Sequence, residues 1–179
     1  MNFYAALDTD SSRAVGELVA NAVGNNPEYF KTVLGLAMRD IPKVSLRAGR
    51  VIFLCCEKYP ELLDPYIEEL IISLSKLKNE GAIRTILKAL TLYDEYGNEN
   101  SLGMLMETCF NFLSSNEAAV AVKIYSMDIL FNICKKEPGL KYELMAVIED
   151  QIPKNSKAFK ARAKSILKRM NQQFSAGNI

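Results

Sequence analysis

The chain has 179 residues, 49% of them apolar and 24% charged, with a formal net charge of +1, which is the size and composition of one globular domain able to bury a core without disulfides or metals. It contains no histidine and no tryptophan, which excludes Ser-His-Asp and Cys-His catalysis, an HExxH zinc site and a histidine general base. The most apolar stretch, Val51–Cys56, is far short of the ~20 residues of a membrane span, and the opening MNFYAALDTDSS lacks the charged and apolar regions of a secretory signal.

Apolar residues recur at helical spacing along nearly the whole chain, and no alternating stretch competes with them. The pattern predicts about nine helices, over 11–24, 27–38, 43–59, 64–78, 81–96, 100–114, 117–136, 138–151 and 155–173. Asn26-Pro27 and Asp64-Pro65 put proline at the first helical position behind a capping side chain, and Glu137-Pro138 repeats the proline alone. Ile41-Pro42 and Ile152-Pro153 mark turns, and Asn116 and Ser156 are expected N-caps. Leu62, Tyr66, Ile67, Leu70, Ile71, Leu74 and Leu77 form one apolar stripe, and Leu105, Met106, Cys109, Phe110 and Leu113 form another. The string LYDEYGNENS at 92–101 reads as a helix end capped at Gly97, followed by a polar turn without EF-hand spacing. Cys55, Cys56, Cys109 and Cys134 contain no CxxC pair and are expected as reduced, buried side chains. No P-loop, GxGxxG or GxSxG string occurs. Short connections between the helices predict antiparallel αα-hairpins.

The chain is also similar to itself. Cys56, Pro60, Tyr66, Ile67, Leu70 and Leu74 align with Cys134, Pro138, Leu144, Met145, Ile148 and Ile152 at an offset of 78, twice a period of 39. A two-helix unit of ~39 residues is the size of a HEAT or armadillo repeat. The stretch LRAGRVIFLCCEKYPELLDPYIEELIISL and the following EGAIRTILKAL resemble HEAT or HEAT-like repeats. The resemblance implies an outer helix paired with an inner helix opened by a hydrophobic-basic step, here Leu46-Arg47, Ile83-Arg84, Val122-Lys123 and Ala161-Arg162. The basic positions 13, 47, 84, 123 and 162 are separated by 34, 37, 39 and 39 residues. Arg50 stands where such repeats usually carry a small residue.

The expected fold is therefore all-α, a short right-handed α-α superhelix (a HEAT-like solenoid). It forms one domain over 1–174, with a leading helix at 11–24, helix pairs at 26–59, 64–96, 99–136 and 138–173, and a disordered tail at 175–179. Its expected core includes Leu18, Val33, Leu54, Leu70, Leu74, Leu87, Leu90, Phe110, Leu130, Ile148 and Leu167. Acids precede the basic row, with Asp40 before Arg47, Glu80 before Arg84 and Glu117 before Lys123. They invite a ladder of carboxylate–cation bonds between adjacent repeats.

Inner helices of a solenoid line its concave side. That makes Arg47, Arg50, Lys58, Arg84, Lys88, Asp94, Lys123 and Asn132 candidate partner-contacting residues. The last helix adds Lys160, Lys164 and Lys168. Seven of the 22 bases and none of the 21 acids lie after Asp150, which leaves 15 bases against 21 acids, a net of −6, in residues 1–150. Neighbouring carboxylates at Glu68-Glu69 and Glu149-Asp150 point about 100° apart on a helix and cannot share a proton.

These features predict a non-catalytic scaffold that binds another macromolecule, with a protein partner favoured, through its concave face or its basic last helix. The alternative is a nucleic-acid-binding protein resembling the HEAT-like glycosylases of alkylated DNA. Those enzymes use a strongly basic channel with aromatic residues, and the missing tryptophan and acidic first 150 residues stand against that reading. Fumarase-type lyases are also helical, but they are far longer and carry a signature loop not found here. No cofactor, no metal and no membrane association are expected of a cytoplasmic chain that is a monomer or weak homo-oligomer, the latter by head-to-tail contact of basic and acidic ends.

Overall fold

Helix starts are set by short polar side chains. Asn2, Ser12, Asn26 and Asn79 adopt extended backbone and accept the amides of Ala5, Val15, Glu28 with Tyr29, and Ala82, respectively. A computed structural model of the chain describes residues 1–39 and 41–175, the side chains of Pro42 and of residues 173–175 aside. Helix makes up 77% of it and no strand occurs among the described residues, so the fold is all-α. The helices are α1 (Phe3–Thr9), α2 (Arg13–Val23), α3 (Pro27–Ala37), α4 (Pro42–Lys58), α5 (Ile67–Leu74), α6 (Glu80–Leu90), α7 (Glu99–Ser114), α8 (Val120–Cys134), α9 (Lys141–Gln151) and α10 (Lys157–Ser175).

Most expected helices are present, with shifted ends. Pro65 and Pro138 lie in the 3-10 turns Asp64–Tyr66 and Pro138–Leu140 rather than at the starts of α5 and α9, and Pro60 opens a further 3-10 turn, Pro60–Leu62. The N-cap of α8 is Ala119, and Asn116 has no such role, because Ser115 Oγ takes the amides of Glu117 and Ala118 instead. Ser156 does cap α10, accepting from the Phe159 amide. The seven-residue α1 was outside the predicted set. Two of its side chains, Phe3 and Leu7, are buried one turn apart. Of the expected tail, Ser175 ends α10 and residues 176–179 lie outside the described residues.

The chain clusters into two compact units, Met1–Ser101 and the remainder from Leu102, with the boundary inside α7. In the first unit α2, α4 and α6 run parallel. Cys55 Sγ lies 3.9 Å from the Ala20 carbonyl, Lys58 Nζ 3.1 Å from Asn21 Oδ1, and Lys88 Nζ 3.7 Å from the centre of the Phe53 ring. Gly49 faces Thr85 so closely that a Cβ there would stand 2.1 Å from Thr85 Oγ1. The α3 helix packs on α4, and α5 packs on α6. Phe30, Val33, Val51, Ile52, Leu70, Leu74, Leu87 and Leu90 form the core of this unit.

In the second unit α8 and α10 are also parallel. Asp128 meets Arg162 at 2.7 Å and Phe131 lies under Arg169 at 4.4 Å. Leu105, Cys109, Leu130, Phe131, Leu144 and Ile148 are buried together with Phe159, Ala163, Ile166 and Met170 of the α10 stripe. Some core expectations fail. Leu18 is 56% exposed, and Leu54, Phe110 and Leu167 are only half-buried. Leu18 points away from the α2 stripe of Gly16, Val19, Ala20 and Val23 that reaches the core.

Candidate functional site

Arg13, Arg47, Arg84, Lys123 and Arg162, the five members of the basic row, all fall on the even-numbered helices, but their partners differ. Arg13 pairs with Glu17 one turn on, at 2.6 Å and in solvent. Arg47 Nη1 donates to the carbonyls of Leu7 (2.6 Å) and Asp8 (3.0 Å), satisfying the open C-terminal end of α1. Lys123 is 3% exposed, and its ammonium donates to Gln151 Oε1 (3.2 Å) and Asn155 Oδ1 (3.1 Å). Burial, with Lys154 nearby, lowers its pKa. Arg162 meets Asp128, a carboxyl raised in pKa by burial despite that guanidinium. Among the described residues Arg47, Lys123 and Arg162 thus bond to carbonyls, side-chain amides and one carboxylate rather than to the preceding acids, and Asp40, the acid expected for Arg47, lies outside the described residues.

A basic face remains on α4 and α6. Arg50 is exposed, and Arg84 and Lys88 are half-buried. The Lys88 ammonium covers the Phe53 ring, and burial, opposed by Glu57 and assisted by Arg50 and Arg84, lowers its pKa. Leu46, on the same stripe of α4 as Arg50, is 44% exposed. Lys58 lies farther along α4 and is tied to Asn21. A cavity of about 250 Å³ opens between α4 and the α1–α2 loop, lined by Lys43, Arg47, Arg50, Ser11 and Ser12 among others.

The segment after α6 is a folded loop, so Gly97 is no helix cap and Asp94 is not on an inner helix. Tyr93 Oη donates to the Pro60 carbonyl at 2.5 Å, Tyr96 Oη to the Tyr93 carbonyl at 2.6 Å, and Tyr96 is buried. Glu68 Oε1 accepts from the Asn98 backbone amide at 3.0 Å. Gly97 has φ +79°, and a Cβ there would stand 2.6 Å from Glu68 Cγ. This loop and the 3-10 turns enclose an acidic cleft of about 660 Å³, lined by Glu61, Asp64, Glu68, Asp94 and Glu95 with Leu92 and Tyr93. Sequence reasoning missed the cleft because its carboxylates come from two segments about thirty residues apart. It missed the basic cavity because one wall is the unpredicted α1.

In the second unit Lys164 and Lys168 are exposed and Lys160 is half-buried. With Lys157 they make a lysine stripe along α10. Arg169 is turned onto Phe131. Asn132 is half-buried and accepts from Lys135 Nζ at 2.9 Å. Among the described residues no three His, Cys, Asp or Glu side chains converge to hold a metal. The four cysteines are free and buried, and burial pushes Cys55 and Cys134 up to about 11 and Cys56 and Cys109 up to about 12. Such thiols stay protonated and unreactive near neutrality. No helix among the described residues is long and apolar enough to cross a membrane.

Within each unit, parallel even-numbered helices that meet at residues about 35 apart in the chain define a helical-repeat protein. The chain belongs to the HEAT repeat domain family, whose model matches residues 4–170. HEAT repeats generally serve as scaffolds for protein interaction. A crystal structure of an engineered protein, a Northeast Structural Genomics Consortium target, shares the fold. It has 15% sequence identity and a TM-score of 0.60, over 95% of this chain and 80% of that one. No curated protein matches the chain.

Proposed function

We propose that the chain is a non-catalytic scaffold that binds an acidic segment of a partner protein through the exposed faces of α4 and α6. Arg47, Arg50, Arg84 and Lys88 are its anion-contacting residues. The observation that carries this reading is the grouping of Arg50 and Arg84 about Lys88, whose ammonium covers the Phe53 ring, with Glu57 the acid acting on Lys88 there. Two arginines on the same face as a partly exposed aromatic ring and an exposed leucine are the composition of an interface core. Four buried cysteines with no disulfide support a reducing, cytoplasmic setting. We take the chain as a monomer or weak homo-oligomer.

Affinity capture from the native host with the wild-type chain and with Arg84→Glu tests it. A partner held by the wild type and bound about tenfold or more weakly by the variant, at unchanged helicity and Tm, supports this face. Full retention removes it.

The lysine stripe of α10 favours a second reading, binding of nucleic-acid phosphates. Lys157, Lys164 and Lys168 are exposed along that helix, and no acid follows Asp150. Gel-shift titration with duplex DNA at low salt decides it, because phosphate-driven binding weakens steeply as salt rises. Absence of a shift ends that reading.

A further inference from the structure

The cavity between the α1–α2 loop and α4 gathers several hydrogen-bond donors on one recess. Lys43, Arg47 and Arg50 lie at i, i+4 and i+7 on α4, which places all three on one helix face and on the cavity lining. Ser11 and Ser12 line the opposite wall. The Arg47 guanidinium is held in place by the Leu7 and Asp8 carbonyls through Nη1, which leaves Nε and Nη2 as donors. Arg50 is exposed and has no hydrogen bond or ion pair among the described residues. Asp10, the acid on the described lining, is already engaged. Its carboxylate accepts the Ser12 amide at 2.9 Å, and hydrogen bonds from the Ser12 side chain and backbone hold it below the usual carboxylate range. The described lining therefore carries three cations against one occupied anion.

We propose that this cavity binds a phosphate monoester carried on a serine or threonine side chain of the partner protein. The proposal rests on the scaffold reading above and names the chemistry its partner presents. A phosphomonoester brings a charge of about −1.5 to −2 and three strong acceptor oxygens, against one charge and two oxygens for a carboxylate. Three cations and the Ser11 hydroxyl match the first better than the second, the Ser12 hydroxyl being engaged by Asp10 and the Val15 amide. The volume of about 250 Å³ is below the ~300–1,000 Å³ of a drug-sized site, so it suits one anionic group with the few atoms that carry it. Nucleic acid is disfavoured at this place. Its binding needs a run of phosphate contacts and aromatic platforms, whereas this is a single recess with no aromatic side chain on its described lining.

The test is a titration of the isotope-labelled full chain with end-blocked phosphoserine, end-blocked serine, inorganic phosphate and random-sequence duplex DNA, read by amide chemical shifts. Expected is a saturable shift of the Ser11, Ser12 and Gly16 amides with phosphoserine and none with serine. Arg50→Gln and Lys43→Gln each weaken it about tenfold at unchanged Tm, while Lys164→Gln on α10 leaves it as it was. Three outcomes overturn the proposal. They are no saturable shift, inorganic phosphate binding as tightly as phosphoserine, and duplex DNA occupying these amides more tightly than phosphoserine. Loss of the partner in Arg84→Glu alongside failure of phosphoserine to bind would sink the phosphate assignment and leave the scaffold reading standing. Phosphoserine binding with full partner retention in Arg84→Glu would do the reverse.

Discussion

Each buried thiol links folding to proton concentration. In the unfolded chain cysteine ionises near 9.0, whereas burial holds Cys55 and Cys134 protonated to about 11 and Cys56 and Cys109 to about 12. Above pH 9 the folded state thus binds more protons than the unfolded one, so stability falls as pH rises. Lys88 and Lys123, both lowered, act in the opposite sense as pH approaches 10.5, but the thiols outnumber them. With no histidine in the chain, few groups titrate between about pH 5 and 8. Urea midpoints are expected to be nearly level across that interval and to drop beyond pH 9, with a shallower drop in Cys109→Ala. A midpoint unchanged to pH 10 would refute the linkage. The burial of these cysteines was legible in their spacing and apolar neighbours. The burial of Lys123 was not, because its partners Gln151 and Asn155 are neutral side chains 28 and 32 residues away that leave no charge pattern.

Between elements, the α4–α6 contact depends on an absent side chain. A Cβ at Gly49 would meet Thr85 Oγ1, Cγ2 and Cβ at 2.1, 2.7 and 2.9 Å. Gly49→Ala must push the two helices apart or force Thr85 off its rotamer, a cost of about 1–3 kcal/mol. Thermal melts should show a lower Tm for Gly49→Ala and partial recovery on adding Thr85→Ala. An unchanged Tm in the single variant would show that the helices approach less closely. The helices themselves were legible because their apolar stripes repeat, as in the fully buried Phe159, Ala163, Ile166 and Met170 of α10. Their ends were less so. The periodicity carries α6 to residue 96, but the helix stops at Leu90 and the loop is held by Tyr93 and Tyr96 bonded to carbonyls at Pro60 and Tyr93. Those are tertiary choices that no local pattern encodes. The α1 helix escaped because seven residues give too short a period to read.

Across the whole molecule, charge is divided along the chain, with seven bases and no acid after Asp150 and a net of −6 before it. Lys154 is paired with Asp150 at 2.6 Å and Arg162 with Asp128 at 2.7 Å, which leaves the other bases of α10 as the surplus. A protein of net charge +1 with evenly mixed charges would pass through a cation exchanger at pH 7. This one is expected to be retained at low salt and to elute earlier when Lys164 and Lys168 are both changed to glutamine. Passage of the wild type without retention would show that the surplus is neutralised elsewhere. The candidate residues on α10 were legible in this imbalance. The cavity beside Arg47 and Arg50 was not, since it exists only once α1 and the loop behind it are in place.

The sealed cysteines also give the chain two internal clocks. Cys55 and Cys56 sit in the first compact unit and Cys109 and Cys134 in the second, all buried. A neutral thiol-labelling reagent can reach each pair only when the surrounding helices open, so its rate of incorporation measures the opening of that unit without any engineered probe. Mass spectrometry of partly labelled protein would then distinguish two outcomes. Chains modified in one pair only mean that the units breathe separately, and chains modified in all four positions or none mean that they open as one.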